Sequence, residues 1–468
     1  MNKFRFSLIS VIGALFTSLS SSVVAQDKPN IIFILTDDLG FNQVGAYGNT
    51  PIKTPNLDAL ASNGIRFDQA YAGNTVCSPS RVSLFTGRDG RIMTNNSNTV
   101  QLTEMDITLA HVLKHGGYDT ALFGKYSIGS QMGVTDPLAM GFDTWYGMYS
   151  ILEGHRQYPQ ILWKDGQKIR IRENEGGKKG AYAQELFTNQ AIDYIKQPRE
   201  NPFFMMLAYS SPHAELGVPG EFSEQYTFTE TPYTGMKGGN PADKYAAYYP
   251  EPVEKPNATL AGMVSALDHY IGQIVEQLDE MGELDNTLIF FTSDNGPHDE
   301  GGADPEYLKA SEPYRGMKRD LYDGGIHVPM IVHWPERIKA GRTDDTPWLF
   351  ADVMPTVAEL AEVNLNMVPR VKTNGKSIVG LLKTEPNEME ERILYWEFSK
   401  QVGDPNSGII GDTYQAARKG DWKAVRYGFD APLELFNIED DPAELHDLSK
   451  KKPNIASEFL ALFEENKD

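Results

Sequence analysis

Three features of the 468-residue sequence predict an α/β fold: a mixed, largely parallel sheet sandwiched by helices, followed by a small antiparallel α+β domain. Short apolar runs alternate with amphipathic segments along most of the chain. Residues 31–36 are apolar up to Thr36 and end in Asp37-Asp38, as expected of a strand buried on both faces. After about residue 376 the texture changes to closely spaced strand-like segments separated by turn residues.

Taken in order, residues 54–64 read as a helix, with Pro55 near its start and Gly64 past its end. Residues 118–123 read as a strand, 182–196 as a helix and 203–209 as a strand. A helix over 257–281 and a strand over 287–292 follow, and 329–334 and 354–363 repeat the strand-then-helix pattern. Such alternation builds parallel sheets, because each helix carries the chain back to the starting edge. Beyond the change of texture, residues 393–398, 414–419, 422–427 and 433–438 are strand-like. Lys419-Gly420-Asp421 forms a hairpin turn, and 454–466 forms a terminal amphipathic helix. The chain therefore divides into a leader over 1–25, an α/β domain over 26–375 and an antiparallel domain over 376–468.

With 43 Lys and Arg against 64 Asp and Glu, the formal charge is −21. That balance excludes a general nucleic-acid binder, which needs excess positive charge to neutralise phosphates. An anionic ligand must instead meet a local basic pocket. The single cysteine excludes an internal disulfide, a zinc ribbon and an iron–sulfur cluster. Lys3 and Arg5, the apolar stretch 6–19 and Val23-Val24-Ala25 together read as a secretory signal. The stretch is too short, and too diluted by Ser and Thr, for a membrane anchor, and no later segment is suited to span a bilayer. A periplasmic or secreted bacterial protein is predicted.

Ligands of open α/β sheets bind beyond the carboxyl ends of the strands. Asp37-Asp38 and Asp294-Asn295 occupy two such ends. Either pair alone is an ordinary cap or turn. Brought together, three carboxylates and an amide oxygen make a hard-oxygen site for Ca²⁺ or Mg²⁺. A lone cysteine is usually a small buried apolar group. Here Cys77 sits among polar residues at the approach to a helix, where backbone N–H groups favour an anion.

Cys77-Ser78-Pro79-Ser80-Arg81 resembles the modification signature of type I sulfatases, in which the cysteine becomes formylglycine (3-oxoalanine). Segments 29–40, 54–72, 116–129, 211–213, 292–296, 315–329, 352–362 and 433–448 resemble the family's blocks in the family's order, over essentially the whole chain after the leader. The resemblance implies an alkaline phosphatase-like fold and a sulfuric ester hydrolase. It implies one Ca²⁺ held by Asp37, Asp38, Asp294, Asn295 and the modified Cys77, and a formylglycine-generating maturation enzyme as partner. Arg81 would hold the formylglycine hydrate, Lys125 and Lys318 would bind sulfate oxygens, and His213 would protonate the leaving alcohol. Chemically, fixed positive charge is what a departing sulfate ester needs.

The chain departs from the family pattern at Tyr126-Ser127, where Trp-His is usual, at Asp323 in place of Glu, and at His327 in place of Arg. Ser127 matters most, because a hydroxyl cannot act as a base near neutral pH. His155, Arg156, Arg170, Arg172, His298 and His327 are the candidate substrate contacts, whereas His111, His115, His269, His333 and His446 read as structural or surface groups. Between residues 156 and 179, seven basic side chains face three acidic ones, around a hairpin turn at Asp165-Gly166. A charged hairpin is ordinarily just solvated, but this one opposes the acidic trend of the chain and suits secondary anion subsites. Alternation with Ile169 and Ile171 would place Arg170 and Arg172 on one strand face. Tyr226, Tyr233, Tyr245, Tyr248 and Tyr249 form a candidate sugar-stacking surface. The substrate expected is a sulfated oligo- or polysaccharide, such as the algal galactan carrageenan. The alternatives are a formylglycine-dependent phosphoester or phosphonate hydrolase and a non-catalytic sulfated-glycan-binding protein.

Overall fold

The computed structural model describes residues 28–93, 95–129, 132–235, 249, 251–383, 389–401 and 410–466. The expected leader 1–25 and the tyrosines 245 and 248 lie outside them. A ten-stranded mixed sheet forms the centre. Its middle strands, Thr287–Ser293, Asn30–Asp37, Phe203–Pro212, Asp119–Lys125 and Thr144–Met148, run parallel in that spatial order. Met330–His333 then pairs antiparallel with Thr287–Ser293, so it does not extend the parallel pattern its sequence suggests. The hairpin Ile161–Lys164 and Gln167–Arg170 closes the other edge, turning at Asp165-Gly166 as the sequence predicts. Short strands such as Ile65–Phe67 and Arg342–Asp344 carry too few residues to show a period of two.

Along Asn30–Asp37, side chains alternate between two cores. Ile32 and Ile34 join the apolar layer formed with helices Ala183–Ile195 and Pro256–Glu280. Ile31, Phe33 and Leu35 join the opposite layer, with helices Cys77–Thr86, Leu109–His115 and Val353–Leu360. Burial on both faces explains why the strand reads as an unbroken apolar run.

A second sheet of four antiparallel strands runs through Ile393–Gln401, Ile410–Lys419, Trp422–Tyr427 and Glu434–Asn437. Tyr395, Ala417, Ala424 and Leu435, paired across the strands, pack under Phe459 and Phe463 of helix Pro453–Glu465. The opposite face, with Leu394, Trp396, Val425 and Phe436, packs on Tyr71, Leu321 and Ile326 of the main body. No helix among the described residues is long and apolar enough to cross a membrane.

Candidate active site

Because the five middle strands are parallel, their carboxyl ends lie at one edge. Asp37 ends its strand and Asp38 follows at φ 64°, a left-handed conformation that aspartate tolerates. Lys125 ends a second strand, His213 follows a third, and Asp294 and Asn295 follow a fourth. Cys77 opens helix Cys77–Thr86, one step further in than its sequence suggests.

Arg81 ties these ends together. Its Nε donates to Asp294 Oδ2 at 2.8 Å, Nη1 to the Lys125 carbonyl at 2.6 Å and Nη2 to Asp37 Oδ2 at 3.2 Å. Cys77 Sγ donates to Asp37 Oδ1 at 3.3 Å, and Lys125 Nζ pairs with Asp37 Oδ2 at 2.6 Å. Lys318 Nζ donates to Asp38 Oδ2 at 2.7 Å and to His213 Nε2 at 3.0 Å. An ammonium can only donate, so Nε2 accepts and His213 Nδ1–H donates to the Ala214 carbonyl. All of these side chains are buried.

Electrostatics follow from that burial. Burial pushes Asp294 up to about 7, with Asp37 adding repulsion. Burial also raises the Cys77 thiol well above its usual value, so the unmodified residue is a neutral thiol. For His213, burial and then Lys318 and Lys125 hold the imidazole neutral; His155 is lowered to about 3 for the same reasons. Burial opposes charge on Lys318, yet Asp38 and Glu300 keep it an ammonium.

The donor set fits a hard divalent cation. Three carboxylates are crowded without solvent, and Asn295 Oδ1 is buried with no hydrogen-bond partner among the described residues, while its Nδ2 is used by Asp38 and Gly296. Ligand atoms of Asp37, Asp38, Cys77 and His213 lie within 4.8 Å of one another. Oxygens of this kind suit Ca²⁺.

The other candidates separate. His155 stacks on His213, ring centroids 4.6 Å apart and planes 10° apart, and stands 5.6 Å from Tyr249. Arg156 is half exposed and pairs with Glu215. His298, expected to touch substrate, has both ring nitrogens on the backbone, one toward the Pro212 carbonyl and one accepting from Glu300 N–H; it braces the loop instead. His327 is enclosed by Tyr71, Tyr314 and Phe41 and bonds to Asp323 and the Asp68 carbonyl, so it does not face a substrate. Arg170 and Arg172 do not share a strand face, because the strand stops at Arg170 and Arg172 opens a 3₁₀ turn. Arg170 is 77 % exposed and pairs with Glu175. Tyr226, Tyr233 and Tyr249 are buried rather than displayed, which removes them from the expected stacking surface.

Ser127 has a structural counterpart. The turn Glu153–His155 lies over it, and a Cβ at Gly154 would come 2.7 Å from Lys125 Cε and 3.0 Å from Ser127 Oγ. The turn therefore occupies the space that a larger residue at 127 would need. Glu300 and Arg319 are additions that the sequence does not disclose. Glu300 accepts from Tyr249 and Arg319 and stands 3.4 Å from Lys318 Nζ. A loop carboxylate five residues past Asn295 carries no periodic signal.

A family model described as sulfatase matches residues 29–363, and one described as N-sulphoglucosamine sulphohydrolase, C-terminal, matches 316–464. Human N-acetylgalactosamine-6-sulfatase is 28 % identical over 422 residues, 86 % of this chain and 72 % of that protein. N-acetylgalactosamine-6-O-sulfatase of Bacteroides thetaiotaomicron is 26 % identical, over 94 % of this chain and 93 % of that protein. The crystal structure of Ps i-CgsB in complex with k-i-k-neocarrahexaose superposes with a TM-score of 0.77 at 27 % identity, over 94 % of this chain and 92 % of that one.

Proposed function

The chain belongs to the sulfatase family, and from that premise we propose that it removes sulfate from a sulfated carbohydrate, an algal galactan of the carrageenan type, using Ca²⁺ and formylglycine derived from Cys77. The observation that carries this reading is the convergence of Asp37, Asp38, Asp294 and Asn295 with Cys77, Arg81, Lys125, His213 and Lys318 at one sheet edge. When present, Ca²⁺ would supply fixed positive charge to sulfate oxygens and formylglycine would supply the attacking hydroxyl.

The protein's own residues do the rest. Arg81 orients Asp37 and Asp294 and, with Lys125 and Lys318, forms the local basic pocket that an anion needs in so acidic a chain. Lys318 Nζ donates to Asp38 Oδ2 and to His213 Nε2, and this pair would pass a proton to the departing alcohol oxygen. His155 stacks on His213 and would contact the sugar, while Tyr249, buried and bonded to Glu300, backs the His155 ring. Export through the leader 1–25, maturation by a formylglycine-generating enzyme and the division at residue 375 belong to the same reading.

The test is sulfate release by protein matured together with that enzyme. Carrageenan and glycosaminoglycan oligosaccharides, an aryl sulfate and an aryl phosphate are the substrates. Release from a carrageenan oligosaccharide, abolished in Cys77→Ala, is the expected result. Release from glycosaminoglycans alone overturns the galactan assignment, and turnover of the phosphate alone overturns the sulfatase chemistry.

A further inference from the structure

The segment from Arg315 to Ile326 joins the site to the C-terminal sheet. At its inner side, Lys318 N–H donates to the Pro297 carbonyl at 2.9 Å, and Arg319 N–H donates to the Thr75 carbonyl at 3.1 Å. Gly296 N–H donates to the Gly325 carbonyl at 3.0 Å. Thr75 lies two residues before Cys77, and Gly296 follows Asn295. The backbones are in contact: a Cβ on Gly296 would fall 1.9 Å from the Gly324 carbonyl oxygen, and one on Gly324 would fall 2.2 Å from that of Gly316. With no slack between these layers, displacing one displaces the others.

At its outer side the segment is gripped by the C-terminal sheet. Lys423 Nζ, fully buried, pairs with Asp323 Oδ1 at 2.5 Å and Glu444 Oε1 at 2.9 Å. Asp323 N–H donates to Glu444 Oε2 at 2.6 Å, and Leu321 N–H donates to the Tyr427 hydroxyl at 3.0 Å. Burial, with Asp323 nearby, pushes Glu444 up to about 7, while Lys423 and His327 overcome burial to hold Asp323 below the usual carboxylate range. One lysine thus holds two buried carboxylates together. Apolar packing would serve stability as well, so the ionic cluster's distinct contribution is a fixed geometry.

We propose that Lys423 is a positioning residue for the sulfate site: by clamping Asp323 and Glu444 it holds the segment that delivers Lys318 to Asp38 and His213. The inference rests on Lys318 being a sulfate ligand, as proposed above. The C-terminal sheet then contributes to substrate binding through a side chain that meets no substrate.

The experiment measures inorganic sulfate affinity by calorimetry, KM and kcat on an aryl sulfate, and Tm, all on matured, Ca²⁺-loaded protein. Lys423→Met combined with Glu444→Gln removes the lysine without leaving two like charges facing each other. It is expected to weaken sulfate binding and raise KM about tenfold, and to add less than about twofold when Lys318 is already Met. Tyr427→Phe removes a single hydroxyl and is expected to give about a twofold loss in the same direction with little change in Tm; it stands in should the double variant not fold. Unchanged sulfate affinity with only a lower Tm, or losses that multiply in the Lys318→Met background, overturns the linkage. If Lys318→Met itself leaves sulfate binding intact, the ligand assignment fails and the linkage with it.

Discussion

At the scale of single residues, Cys77 and His213 carry the sharpest expectations. Mass spectrometry of the peptide spanning Cys77, after expression with a formylglycine-generating enzyme, should show an aldehyde in place of the thiol. Fully active protein with an intact thiol would contradict the chemistry. His213 Nε2 accepts from the Lys318 ammonium, and on the proposed reading the pair hands a proton to the leaving oxygen. His213→Ala should therefore cost about 10²–10⁴ in kcat/KM on sugar sulfates and distinctly less on activated aryl sulfates, because protonation matters most for the most basic leaving group. Equal losses on both would remove the role. The residues Asp37, Asp38, Asp294 and Asn295 are legible in the sequence because a carboxylate at a strand end is a local signal. His298 and His327 mislead for the converse reason: a histidine's partners lie across the fold, and here both rings are spent on protein atoms.

Among elements, the hairpin Ile161–Lys164 and Gln167–Arg170 extends the sheet edge with exposed charge. Lys168 lies over the Trp163 ring and Lys179 over the Tyr158 ring, so part of its basicity is already engaged. Replacing Arg170 and Arg172 with Gln should raise KM for a multiply sulfated oligosaccharide a few-fold at low salt and hardly at all at high salt, since exposed charges are screened. A monosulfated aryl ester should be unaffected. Steady-state kinetics on both substrates at two ionic strengths decide this, and an equal change in both would make the hairpin a support of the site itself. The cluster Lys423, Asp323 and Glu444 carries a pH signature. Glu444 is raised from the ordinary glutamate value to about 7, so the folded protein binds its proton more tightly than the unfolded chain. Its contribution to stability is complete below about 4.5 and is lost as pH rises through about 7. Glu444→Gln should flatten the fall in Tm over that range, and an unchanged slope would show that Glu444 does not titrate there.

For the whole molecule, stability should depend on the metal, because the proposed ligands come from strand ends more than 250 positions apart in sequence. Chelation should lower Tm, re-addition of Ca²⁺ should restore it, and Asp294→Ala should abolish the response. The shift reports binding to the folded state alone. Indifference of Tm to chelation, with no metal found by elemental analysis, would remove the Ca²⁺ assignment. The sequence by itself determined the parallel core, the strand-end carboxylates, the Cys77 motif and the antiparallel C-terminal strands. Each is written in a local period or a contiguous motif, and backbone geometry turns period into element. Only the tertiary structure decided that Met330–His333 runs antiparallel, that the turn Glu153–His155 fills the space over Ser127, that Glu300 joins the basic pocket, and that Lys423 reaches Asp323. Those facts depend on which surfaces meet when the two sheets and their helices pack, and a contact between residues 100 positions apart leaves no trace in the spacing of either.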